Sequence, residues 1–171
     1  MNEAMIDKYI HIKNQLYEFL VPNNVESAMI SEANWIARGT YMSGEEVGIY
    51  VKPGDVVFLD FGQAYLNEMG YQHFGLVITV CEKKALVVPM TSNTKTCSNA
   101  FDLSNLKGKK NLYCIPSIPG LFKKSVLFLN DMKLINTARI IDIKGHINVE
   151  SNDFKEIQTR IVQMVFGKRA M

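Results

Sequence analysis

From residue 51 onward the apolar residues come in short runs, each closed within a few residues by a turn signal. "DVVFLDF" (55–61), "FGLVITV" (74–80), "ALVVPM" (85–90), "NLYCI" (111–115), "SVLFL" (125–129), "MKLI" (132–135) and "RIIDI" (139–143) are short segments of strand-like composition, rich in β-branched and aromatic residues. "KPG" (52–54) sets Pro53 and Gly54 at the central positions of a type II turn, and "EKK" (82–84) makes a tight turn between two runs. A polar loop (62–73), a basic Ser- and Asn-rich excursion (93–110) and the break "PSIPG" (116–120) separate the others. Short strands joined this way predict a small barrel or strongly bent sheet.

Helical periodicity is confined to the ends. Met5, Tyr9, Ile12, Leu16 and Phe19 recur at alternating steps of four and three, predicting a helix over 3–20 that Pro22 stops. Asn24 is placed to cap a second helix with apolar positions Val25, Ala28, Met29, Trp35 and Ile36, ended by Gly39. The stretch 40–50 is connective. Both helices are expected to dock on the barrel, because their apolar stripes would otherwise face water. A last helix carries Phe154, Ile157, Ile161, Met164 and Val165 on one face. The expected class is mainly β with flanking helices (α+β), with a helical appendage at 1–50 and a barrel domain at 51–171.

The 171 residues, 47% of them apolar, suit one ordinary core. No apolar run approaches the ~20 residues a membrane-spanning helix needs. The N-terminus lacks the basic-then-apolar order of a secretion signal. Cys81, Cys97 and Cys114 show no C-x-x-C spacing, so a reduced cytoplasmic protein is expected, with neither a disulfide framework nor a zinc site. The net charge of +2 hides an asymmetry. Residues 83–124 carry eight lysines (Lys83, Lys84, Lys95, Lys107, Lys109, Lys110, Lys123, Lys124) against Asp102, whereas residues 1–82 are strongly acidic. Such a block attracts phosphate backbones, and a solvated lysine-rich loop has the same composition, so charge permits polyanion binding without requiring it.

Four pieces, in order, resemble the MazF/PemK family of bacterial toxins: "KPGDVVFLDFG", "NEMGYQHFGLVI", "ALVVPMTSN" and "SVLFLNDMKLINTARIIDIKGHI". Together they span about residues 51–166, leaving 1–50 without a counterpart. The resemblance implies an SH3-like barrel of the MazF/CcdB type that forms a homodimer in the cytoplasm. It implies metal-independent cleavage of single-stranded RNA, leaving 2′,3′-cyclic phosphate and 5′-hydroxyl ends, with no cofactor. It also implies inhibition by a cognate antitoxin protein whose disordered tail lies over the RNA groove.

Cleavage by a neighbouring 2′-hydroxyl needs a base, an acid and donors for the phosphorane charge. The family's arginine at the loop–strand seam falls here on His73, and its strand-end hydroxyl on Thr91 or Ser92. A histidine titrates near ~6.5, so it can transfer a proton where an arginine supplies only fixed charge. His73 is therefore expected to act as base or acid, with Lys133 or Arg139 supplying the fixed charge. A histidine bonded to a backbone carbonyl beneath the loop is the alternative. Glu68 can pair with a base or orient His73, or be an ordinary loop acid; Tyr71 can stack on a base or pack on the barrel. Lys107, Lys109, Lys110, Lys123, Lys124 and Arg139 would track the RNA. His11 and His146 read as structural. Two other functions share the barrel: a CcdB-like toxin that binds a protein target such as gyrase without catalysis, and a non-toxic RNA-binding module.

Overall fold

The computed structural model describes residues 2–101, 105–115 and 118–167. Asp102 and the first two residues of "PSIPG" lie outside the described residues. Helices α1 (Glu3–Phe19) and α2 (Pro22–Arg38) and a short 3-10 turn (Gly44–Val47) precede the sheet. Then follow β1 (Asp55–Asp60), β2 (Gln72–Cys81), β3 (Lys84–Thr91), α3 (Thr94–Ser98), β4 (Ala100–Phe101), β5 (Lys109–Ile115), β6 (Ser125–Phe128), β7 (Lys133–Asn136), β8 (Ile140–His146) and α4 (Asn152–Phe166).

Eight strands form one sheet in the order β4-β5-β6-β3-β2-β1-β8, with β7 also paired to β3. All pairings are antiparallel except β4–β5. Strand β3 pairs with β7 through Lys84–Val87 and with β6 through Met90 and Thr91, so it serves two neighbours along one edge. The sheet bends around a core of Val56, Leu76, Ile78, Val88, Met90, Leu127 and Leu129, which α4 closes with Phe154, Ile157 and Ile161. The opposite face carries a second cluster, Val57, Leu59, Phe61, Val77, Val87 and Ile140. Alternation of side chains along each strand produces both layers. The result is a mixed α+β fold, an SH3-like barrel with an N-terminal helical region and a C-terminal helix.

Three expectations need correction. Helix α2 begins at Pro22 with Val21 as its N-cap, not at Asn24. Proline is well placed in a first helical turn, where its missing N–H is no loss; it ends one helix and starts the next. The connection 40–50 is not featureless: Ser43 and Glu46 close a capping box on the 3-10 turn. The N-terminal stripes, finally, do not bury themselves on the barrel. Helix α1 has no buried residue, and Met5, Tyr9, Ile12, Leu16 and Phe19 are all more than half exposed.

What docks α2 is polar. Buried Asp60, at the end of β1, accepts hydrogen bonds from Ser31 Oγ (2.8 Å), Asn34 Nδ2 (2.9 Å), Gln72 Nε2 (2.8 Å) and the Gly62 N–H (2.8 Å). Arg38 donates to the carbonyls of Ala138 (3.2 Å) and Ile140 (2.8 Å). Ala28 is the apolar α2 residue that becomes fully buried. Helix α1 is held to α2 by the Lys13–Glu32 ion pair, with Tyr17 also on Glu32. Burial alone would raise the Asp60 pKa, but the four donors outweigh it and hold the carboxyl below its ordinary value. The stability this contributes is present above the ordinary carboxylate pKa and is lost as pH falls through the lowered one. Asp60→Ala leaves four donors without an acceptor; urea unfolding should show a loss of about 2 kcal/mol or more. Limited proteolysis within 20–50 should quicken in parallel, and unchanged cleavage there would contradict this anchoring role.

Candidate active site

Strand register, not sequence proximity, assembles the seam. His73 on β2 lies opposite Leu59 on β1, and the β2–β3 ladder begins at Phe74↔Met90. One further step along that ladder sets His73 beside Thr91, which itself pairs with Val126 on β6. By alternation, His73 and Thr91 share the face that carries Leu59, Gly75, Val77 and Val87. Neighbours on adjacent strands have Cβ atoms about 5 Å apart. Gly75 permits the close packing beside them: a Cβ there would lie 2.5 Å from Val87 Cγ1 and 3.2 Å from Leu59 Cδ2.

His73 is half-buried and makes no side-chain hydrogen bond among the described residues. Burial pushes its imidazole below its ordinary pKa, which favours the neutral ring. Thr91 Oγ1 accepts the Asn93 N–H at 3.2 Å, leaving its own hydroxyl proton to donate. Ser92 follows just outside the strand and is exposed.

Lys133 and Glu68 stand together, apart from this pair. Lys133 lies opposite Val87, four residues along β3 from Thr91, or about 13 Å of strand. Its ammonium donates to the Met69 carbonyl (2.7 Å), stands 3.6 Å from the Glu68 carboxylate, and lies 6.0 Å from the centre of the Phe61 ring. Asp131 accepts the Met69 N–H. These contacts tie down the β1–β2 loop from the β6–β7 turn, and the partner of Glu68 is Lys133 rather than His73.

The basic residues divide into two places. Lys107, Lys109, Lys110, Lys123 and Lys124 are exposed around the β5–β6 edge, and none pairs with a carboxylate among the described residues. Lys109 and Glu68 line a polar cleft of about 340 Å³ between the β1–β2 loop, α3 and β5. Tyr71 and Arg139 instead line a larger cleft, about 770 Å³, between the helical hairpin and the sheet. Tyr71 has φ of 59°, a left-handed backbone unusual for a bulky residue. Two main-chain bonds hold it there: its N–H to Gly62 O (2.7 Å) and its carbonyl to the Phe61 N–H (2.8 Å).

Of the remaining histidines, His146 bonds buried Asp55 (2.8 Å) where β8 meets β1, and His11 is exposed on α1. Among the described residues no three His, Cys, Asp or Glu side chains converge on a cation site, and no helix is long and apolar enough to cross a membrane. Residue patterns alone missed Asp60, Tyr17, Trp35 and Arg38. The available signal was the interleaving of aromatic and basic residues, Tyr9–Lys13–Tyr17 on α1 and Trp35–Arg38 on α2, which also fits a plain apolar stripe.

No protein-family model matches the sequence, and no curated protein matches it. Solved structures do match. MazF from Deinococcus radiodurans aligns at TM-score 0.50 and 16% identity, covering 68% of this chain and 97% of that one. The MazE–MazF structure from the same organism gives 0.46 and 15% identity, with 68% and 96% covered. An endoribonuclease in complex with its cognate antitoxin, from a mycobacterial species, gives 0.47 and 10% identity, with 67% and 94% covered. The fold is that of the MazF toxins, which agrees with the resemblance seen in the four sequence motifs.

The His73 environment has a consequence for stability. Its folded pKa is depressed, so the unfolded chain takes up a proton first as pH falls. Stability from this site is therefore complete above the ordinary histidine pKa of about 6.5 and declines below it. His73→Gln should flatten that acid-side decline in denaturant titrations at stepped pH. An unaltered pH slope would show that burial does not act on this ring.

Proposed function

We propose that this chain is the toxin of a toxin–antitoxin pair, an endoribonuclease that cleaves single-stranded RNA without a metal ion. One observation carries the reading: on a MazF fold, a half-buried imidazole with no side-chain hydrogen bond among the described residues sits one ladder step from the strand-end hydroxyl of Thr91. Neutral His73 takes the proton of a 2′-hydroxyl as its oxygen attacks the adjacent phosphorus. The bond from phosphorus to the 5′-oxygen breaks, that oxygen takes a proton from water, and the imidazolium returns its proton to the hydroxide so formed, restoring neutral His73. A 2′,3′-cyclic phosphate and a 5′-hydroxyl result. Thr91 donates to a non-bridging oxygen as charge builds on it, with Ser92 a second hydroxyl within reach of the strand. Lys133, paired with Glu68, holds the β1–β2 loop beside the site. The exposed lysines of the β5–β6 edge follow the phosphate backbone, which makes binding salt-dependent. The same reading gives the chain a homodimeric assembly, a cognate antitoxin and a cytoplasmic setting.

His73→Ala should lower RNA cleavage by about 10²- to 10⁴-fold, as loss of a general base does. Hydrodynamic size and circular dichroism should be unchanged. Added EDTA should leave the wild-type rate intact. The rate should fall on the acid side at a pH below the ordinary histidine value, because burial keeps the ring neutral longer. Mapping the termini of a long single-stranded RNA provides the check: cyclic phosphate and 5′-hydroxyl ends are expected. Persistent toxicity of His73→Ala without cleavage would instead favour a toxin that acts by binding a protein.

A further inference from the structure

The larger cleft has a composition that the proposed cleavage steps do not use. It lies between the helical hairpin and the sheet, and rings from both sides face it: Tyr17 and Trp35 from the helices, Tyr41 from the connection and Tyr71 from the β1–β2 loop. Its charges are unequally satisfied. Asp60 is saturated by four donors, and Glu32 is neutralised by Lys13. Among the described residues, the guanidinium of Arg38 bonds only the carbonyls of Ala138 and Ile140, and that of Arg139 only the Asp60 carbonyl at 3.4 Å. Neither arginine pairs with a carboxylate among the described residues. The cleft thus combines flat aromatic walls with two uncompensated cations.

We infer that this cleft binds a nucleobase together with its phosphate. Stacking between aromatic side chains selects a planar ring, and guanidinium forks select a phosphate over a neutral group. A volume of about 770 Å³ falls in the ordinary range for small-ligand sites, roughly 300–1,000 Å³. An apolar ligand would leave both arginines facing it, and a bare anion would leave the rings unused. The left-handed backbone at Tyr71 is the kind of strain that accumulates where a side chain must be aimed at a ligand. The ligand is either a free nucleotide or one unstacked nucleotide of an RNA strand. The RNA case rests on the nuclease reading; the free-nucleotide case does not.

Trp35 is the chain's single tryptophan, so its fluorescence reports on this cleft alone. The full-length protein is titrated with AMP, with UMP, with a six-nucleotide single-stranded RNA carrying 2′-O-methyl groups at every position so that no linkage can be cleaved, and with inorganic phosphate. A saturable change with a nucleotide or with the RNA is expected, at concentrations where phosphate gives little. Saturation by the monophosphates assigns a free nucleotide, and saturation by the RNA alone assigns a strand. Arg139→Gln should weaken the response about tenfold or more, as loss of a charged hydrogen bond does. Tyr71→Gly relieves the backbone strain and removes one ring, so it should bind more weakly without being less stable. The inference is overturned if no probe saturates, if phosphate alone matches the nucleotides, or if both variants bind like the wild type. Absence of RNA cleavage by the wild-type protein would overturn the nuclease reading and leave the monophosphate arm of this titration untouched.

Discussion

The antiparallel register of β1, β2 and β3 is the constraint on which the rest depends. Side chains alternate across a strand, so slipping β2 by one residue would turn His73 and its whole row to the other face. The register is secured from both sides. Leu76, Ile78, Val88 and Met90 fill the layer under α4, while Val77 and Val87 fill the opposite one. A slip would exchange two packed layers at once. Gly75, pressed beneath Val87 and Leu59, adds a position that no side chain can occupy without displacing its neighbours. The seam histidine and the strand-end threonine come to neighbouring ladder positions as a by-product of packing that would be enforced whether or not they reacted.

The same ladder ends in a second anchor of different chemistry. Asp60 closes β1, accepts from Gln72 opposite it at the start of β2, and joins α2 through Ser31 and Asn34. A carboxylate with four donors is directional in a way that an apolar contact is not. With the Arg38 bonds to Ala138 and Ile140 it fixes the hairpin at two polar points and leaves much of its apolar surface uncovered, with Trp35 69% exposed and Phe19 87%. That geometry opens a cleft instead of sealing an interface. The two candidate sites are consequently neighbours along one strand end, one built on the barrel and the other on its helical addition.

Much of the barrel was legible before any coordinates. Seven strand runs, the turn at Pro53–Gly54 and the α4 stripe all follow from period and turn chemistry, and Gly54 has the positive φ of 90° such a turn demands. What escaped was short or ambiguous. Helix α3 spans five residues and β4 two, too little for a periodic pattern to register. Pro22 serves the start of a helix as readily as the end of one. The helical stripes were visible, but their destination was not, because a polar anchor on a distant aspartate leaves no periodic trace. Among the site residues, the resemblance selected His73 and Thr91 from separate motifs; it could not reveal that Glu68 answers to Lys133, or that Tyr71 and Arg139 face a cleft of their own.

Local chemistry, written in consecutive residues, settled most of the strands and helices, where they turn, and that an acidic block is followed along the chain by a basic one. Those properties depend on neighbours a few positions apart, so a linear reading reaches them. Which groups become partners is a different matter. The lowered pKa of His73, the saturation of Asp60 and the two arginines left with only carbonyls all arise between residues distant along the chain. Desolvation and hydrogen bonding fall off within a few ångströms, and only the folded chain decides which atoms come that close.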